Sequence, residues 1–152
     1  MRISLGSDHG GYEVKEALKR RLGEAGHTVI DFGCAGTDPA DYPEYGARAA
    51  RAVASGDCAR GILVCKSGIG MSMVGNKIPG VRAALCLDEE MAESSRRHND
   101  ANVLALAANR TGPAEAIRIA ERWLAAPFEG GGRPRGGGGR AGGGRGRGGG
   151  GP

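Results

Sequence analysis

At 152 residues the chain suits one domain, and its net charge of +4 is unevenly placed: residues 129–152 hold half of the 30 glycines and five arginines against one glutamate, which leaves residues 1–128 neutral. A neutral body argues against a basic nucleic-acid-binding face there. Four cysteines (Cys34, Cys58, Cys65, Cys86) without a CxxC pair and three histidines without ligand spacing argue against a zinc site; with no secretory signal and no membrane-length apolar run, a reduced, cytoplasmic setting is expected.

Arg2 to Ser7 opens as a strand and leads into a turn, Gly6 to Gly11. A helix follows, with Val14, Ala17, Leu18, Leu22 and Ala25 on its apolar face and Lys15, Lys19, Arg20 and Glu24 elsewhere. Gly26 stops it as a left-handed cap, and Thr28 to Phe32 is the second strand. A crossover of this length implies parallel strands. Gly33 to Pro43 is a loop, and a helix over about Glu44–Ser55 turns Ala49, Ala52 and Val53 inward. Gly61–Cys65 is a third strand, buried on both faces. Val81–Leu87 is a fourth, Asp88 caps a helix of about Glu89–Arg97, and His98 to Asp100 form a turn. Val103–Ala107 is a fifth strand, and a last helix begins near Pro113 and ends at Pro127. Five strands alternating with helices predict an α/β fold: a three-layer α/β/α sandwich around an open five-stranded parallel sheet, Rossmann-like.

The chemistry concentrates in GILVCKSGIGMSMVGNK, residues Gly61–Lys77. A strand ends at Cys65, a small-residue turn follows, and a short helix starts near Met71. Turn and helix-start amides stabilise an anion, so Cys65 sits where a thiolate would be favoured; the bland alternative is a small buried hydrophobe at a strand end. Asp8 and His9 follow the first strand, as an acid beside a cation or as a helix cap beside a solvated ring. His98, with Asn99 and Asp100, suits proton transfer near neutrality. Their turn precedes its strand, so it belongs at the edge opposite Cys65, which suggests service to a neighbouring subunit. Tyr42, in a polar loop, either closes over a ligand or covers the core. His27 reads as structural or solvated, Met71, Met73 and Met91 as packing, and Arg96 and Arg97 as a solvated helix end.

Five motifs stand in the order met in the ribose-5-phosphate isomerase B family, which is similar to the isomerases of galactose 6-phosphate and allose 6-phosphate. They are GSDHGG near the start, DYP at Asp41–Pro43, CKSGIGMSMVGNK from Cys65, HNDANVLAL from His98, and FEGG at Phe128–Gly131. The chain resembles that family over about residues 2–131. The resemblance implies a cofactor-free, metal-free aldose–ketose isomerisation of a sugar phosphate through a cis-enediolate. It implies Cys65 as the base between C1 and C2 and Ser67 as the proton-shuttling hydroxyl. Gly68, Ile69 and Gly70, with Ser72, would hold the enediolate oxygen. His98 would open the ring, with Asp8 and Tyr42 around the ring oxygen and hydroxyls, His9 on the phosphate and Asn99 on the sugar. It also implies a homodimer or homotetramer whose sites are built by two subunits.

Three departures stand out. Lys66 replaces a common Gly, either adding a cation near Cys65 or crowding the pocket; its side chain is expected to point outward. Asn109 stands where the family carries an Arg, with Arg110 one residue late. After FEGG the family's Arg- and His-bearing C-terminal helix gives way to a Gly/Arg tract, in which Arg133 and Arg135 are the candidate substitute cations. That tract, residues 129–152, reads as a disordered tail after an isomerase domain of residues 1–128. It carries no aromatic residue, and weak binding of RNA through its arginines is the less favoured reading. The alternatives to a ribose 5-phosphate isomerase are a hexose 6-phosphate isomerase, or a non-catalytic sugar-phosphate-binding or RNA-associated protein.

Overall fold

A computed structural model describes residues 1–33 and 42–130. Five strands, β1 (Arg2–Ser7), β2 (Thr28–Asp31), β3 (Arg60–Cys65), β4 (Ala83–Leu85) and β5 (Val103–Ala107), form one sheet in the order β2-β1-β3-β5-β4. Every pairing is parallel. The helices are α1 (Tyr12–Glu24), α2 (Tyr42–Ala54), α3 (Ile69–Asn76), α4 (Glu89–Asn99) and α5 (Pro113–Ala125). The expected three-layer sandwich is therefore the one observed. Among the described residues no helix is long and apolar enough to cross a membrane.

Strand alternation sorts the core into two layers. Ile62 and Val64 of β3 join Ile3, Leu5, Leu104 and Leu106 beneath α1, α4 and α5, where Leu18, Ile119 and Trp123 are fully buried. Leu63 and Cys65 face the other way, toward Ala49 and Val53 of α2 and Met71 of α3. That second layer is thin because small residues line it. Ser4 Oγ donates to the carbonyl of Ala49 at 2.8 Å. A Cβ on Gly6 would lie 2.9 Å from the Tyr45 carbonyl oxygen, and one on Gly46 would lie 2.5 Å from Met71 Sδ. Close helix-to-strand approach is what these positions provide, and a larger residue at either would push α2 off the sheet.

Several expectations need correction. Tyr42 is not in a loop: it is the first residue of α2, which starts two residues earlier than expected. The fourth strand is shorter than expected, at three residues. His98 and Asn99 lie inside the last turn of α4, and only Asp100 turns, with φ +50°. Ala25 is exposed, whereas Lys15, assigned to the polar side of its helix, is 1% exposed. Its Nζ donates to Asp31 Oδ2 at 2.8 Å and lies 5.3 Å from the Tyr12 ring centroid. A buried ammonium is tolerable with such a carboxylate partner, and α1 can therefore bury a lysine stem against β2. Arg96 is likewise buried, not solvated, because Asp100 Oδ1 and the Ala101 carbonyl accept its hydrogen bonds at 3.0 and 2.7 Å. Met71 packs fully, but Met73 and Met91 are 58% and 42% exposed, so they do not serve the core of this chain. His27 meets the chain's amino terminus at 3.2 Å, a surface contact.

Candidate active site

The sheet order makes β1 and β3 neighbours although their connections leave in opposite directions. In such sheets ligands bind in the crevice beyond the carboxyl ends of the strands at that point. Cys65 closes β3 there. The register pairs Ser7 with Val64 and Cys65 with Ala107, so the turns after β1, β3 and β5 meet at one edge.

Cys65 is 6% exposed. Its Sγ accepts from the Gly68 amide at 3.2 Å. Gly68 has φ +75°, a conformation glycine adopts without strain, and that bend turns the amide back onto the sulfur. Ser67 Oγ accepts from the Ile69 amide at 3.2 Å, and Ser72 Oγ donates to the Ile69 carbonyl at 3.1 Å. The turn of Gly68, Ile69 and Gly70 thus has two of its amides engaged by Cys65 and Ser67. A substrate oxygen entering this turn would take over those donors.

Asp8 has the capping role weighed for it: its Oδ1 accepts from the Gly11 amide at 3.0 Å, opening the 3-10 turn His9–Gly11. That cap also fixes the carboxylate beside the end of β3. Two buried atoms nearby have no hydrogen-bond partner among the described residues, Ser7 Oγ and His9 Nδ1. Ser7 drew no attention in the sequence, since a serine ending a strand carries no signal until its neighbours are known. Burial pushes the Cys86 thiol up to about 11, and burial likewise raises Cys58.

His98 and Asn99 are exposed at the far edge of the sheet. They end α4 just before β5, whose first residue pairs with Gly61, four residues before Cys65. Four strand residues span about 13 Å. Beside them Asp100 bonds Arg96 and Arg82, which ties this turn to the amino ends of β4 and β5. One chain therefore gathers Asp8, His9, Cys65, Ser67, Gly68, Ile69, Gly70 and Ser72 at one edge and leaves His98 and Asn99 at the other. Only the backbone of Tyr42 is described, at the start of α2, and Arg133 and Arg135 lie outside the described residues.

Fold and site together are those of an open α/β protein with a thiol at the sheet's switch point. The family model for ribose/galactose isomerases matches residues 3–136. Ribose-5-phosphate isomerase B of Escherichia coli is 42% identical over 130 residues, covering 86% of this chain and 87% of that one. D-erythrulose-4-phosphate isomerase of Pectobacterium atrosepticum is 41% identical over 132 residues, covering 86% of each. The structure of ribose-5-phosphate isomerase B of Clostridium thermocellum superposes with a TM-score of 0.85 at 49% identity, covering 86% of this chain and 88% of that one. The chain belongs to the ribose/galactose isomerase family, and it is an isomerase.

Proposed function

We propose that the chain interconverts ribose 5-phosphate and ribulose 5-phosphate, without a cofactor, through a cis-enediolate. The observation that carries this reading is the Cys65 sulfur, held 3.2 Å from the Gly68 amide at the edge where an α/β sheet takes its ligand. In the open-chain aldose, the Cys65 thiolate takes the proton from C2 and the electron pair forms the C1–C2 double bond. The carbonyl oxygen becomes the enediolate oxygen, and the amides of the Gly68–Gly70 turn, with Ser72, stabilise its charge. The thiol returns the proton to C1, and Ser67 passes a proton between O1 and O2. Positioned proton transfer of this kind contributes roughly 10²–10⁴-fold.

Ring opening falls to His98, and Asn99 contacts the sugar. Since both lie at the far edge of their own chain, a second copy supplies them, so the active unit is a homodimer or a pair within a homotetramer. Exposed Met73 and Met91 are consistent with such burial between copies. Asp8 and Tyr42 surround the ring oxygen and hydroxyls, His9 meets the phosphate, and Arg133 or Arg135 adds a cation. Relatives named for a pentose and a tetrose phosphate favour a short sugar over a hexose. A role in pentose phosphate metabolism, in the cytoplasm, belongs to the same reading, with residues 1–128 as the enzyme and 129–152 as its tail.

A panel of aldose phosphates given to purified protein tests the substrate, and ribose 5-phosphate is expected to turn over fastest. Cys65→Ala should abolish turnover while sugar-phosphate binding persists. His98→Asn should slow the cyclic sugar far more than an open-chain analogue. Each variant alone should turn over the cyclic sugar far more slowly than wild type, but a mixture refolded together should recover about a quarter of wild-type activity, because half the dimers are hybrids with one intact site. No recovery would rule out sites shared between copies.

A further inference from the structure

We propose that Lys66 is a phosphate-binding residue of this chain, reaching the opposite side of the crevice from Cys65. The inference rests on the sugar-phosphate reading above and adds to it a cation beside the turn that follows Cys65.

Lys66 follows Cys65, so its side chain leaves the other face of β3. Cys65 enters the layer with Met71, whereas Lys66 lies across the turn after β1. A Cβ built on Gly10 would stand 2.6 Å from Lys66 Cγ and 3.1 Å from its Cε, so the absence of a side chain at Gly10 is what lets the lysine stem lie there. The backbone is equally held. The Asn109 amide donates to the Lys66 carbonyl at 2.9 Å, and the Ala108 amide to that of Cys65 at 2.8 Å. The stem is thus placed between the turn carrying Asp8 and His9 and the turn carrying Asn109 and Arg110.

Among the described residues the head group has no structural partner. Lysines and arginines at this edge that serve the structure, such as Lys15 and Lys19 at Asp31, have carboxylate partners. Lys66 is exposed and has no ion pair among the described residues. Asp8 is close, its Oδ1 being 3.3 Å from the same point above Gly10 and accepting from the Gly11 amide, but it forms no ion pair with Lys66, and its charge repels a second anion. An anion would therefore sit on the side of Lys66 away from Asp8. His9, adjoining this turn, has its Nδ1 buried without a partner among the described residues, and an anion's oxygen would satisfy it in the tautomer that carries the proton there. Lys66, from the turn after β3, and His9, from the turn after β1, border the same end of the sheet, and an ammonium beside an imidazole suits a compact multivalent anion, for which the phosphate of a sugar phosphate is the chemistry in hand. Because Lys66 and Cys65 leave opposite faces of one strand end, the ammonium meets the substrate's anionic end and not its reacting carbons.

Calorimetric titration of the full chain with inorganic phosphate at low ionic strength tests this. The wild type should bind phosphate, Lys66→Met should weaken binding by about tenfold or more, and Lys66→Arg should stay within about threefold of wild type. Arg20→Met, which removes another exposed cation, one far along α1 with no ion pair among the described residues, should change nothing, and melting temperatures check that each variant folds. Equal affinity in Lys66→Met, an equal loss in Arg20→Met, an Arg variant as weak as the Met variant, or a wild type that binds no phosphate each overturns the proposal. A wild type that binds phosphate through Lys66 yet isomerises no sugar phosphate would sink the isomerase reading and leave this one standing.

Discussion

The amide of Gly68 reaches the sulfur of Cys65 only because Gly68 takes a left-handed backbone conformation, φ +75°, directly under β5. The same position is sterically closed. A Cβ on Gly68 would run into Leu85 Cδ1 and lie 3.1 Å from the Leu106 carbonyl carbon and oxygen. Leu85 can swing aside, but the β5 backbone cannot.

Gly68→Ala should therefore cost about 1–3 kcal/mol of stability from backbone strain, before any clash is counted. Turnover should fall much further than stability, because the amide that meets the sulfur moves with the turn. Urea unfolding and initial rates on the same preparation separate the two effects. A variant as active as wild type would mean that this amide does not matter to the reaction.

Thiol reactivity should single out Cys65 among the described cysteines. Burial holds Cys86 up at about 11 and raises Cys58, so burial disfavours the nucleophilic thiolate at both. Iodoacetamide on the native protein, followed by peptide mass analysis, should modify Cys65 well before Cys58 or Cys86, with turnover lost in step. Modification of Cys86 at the same rate would contradict the packing of the first core layer.

Acid should weaken the fold partly through Asp31. Burial alone would raise its carboxyl, but hydrogen bonds from Lys15, the Gly33 amide and Lys19 outweigh that and hold it below the ordinary 3.8. A group depressed on folding adds stability that is complete above its unfolded value and is lost as pH falls through its folded value. Asp31→Asn should then be less stable than wild type at pH 7, by about 1–3 kcal/mol, since it leaves the buried Lys15 with a weaker partner. The gap should close toward pH 3. Urea midpoints measured across pH 3–7 check this, and a gap that stays constant with pH would remove Asp31 as the cause.

Much of the candidate site's layout was readable along the chain because it is local. Asp8 and His9 follow one strand and Cys65 to Ser72 follow another, and in a parallel sheet both turns must come out at the same edge. Lys15 and Arg96 were misread because periodicity sees only the side of a helix. The carboxylates that make their burial tolerable, Asp31 and Asp100, come from another element in one case and from the residue beyond the helix end in the other. Ser7 and the stem of Lys66 lay beyond reach for a similar reason, since what surrounds them comes from Gly33 and Gly10 in separate turns.

By itself the sequence determined the alternation of strand and helix, through hydrophobic period and through glycines such as Gly26 and Gly56 that end helices with positive φ. These are properties of neighbouring residues, and neighbours are what a sequence displays. The insertion of β5 between β3 and β4, the burial of Lys15 and Arg96, and the separation of His98 from Cys65 were decided only in three dimensions. Each depends on which elements pack together, and that is set by the shape and charge of surfaces distant along the chain.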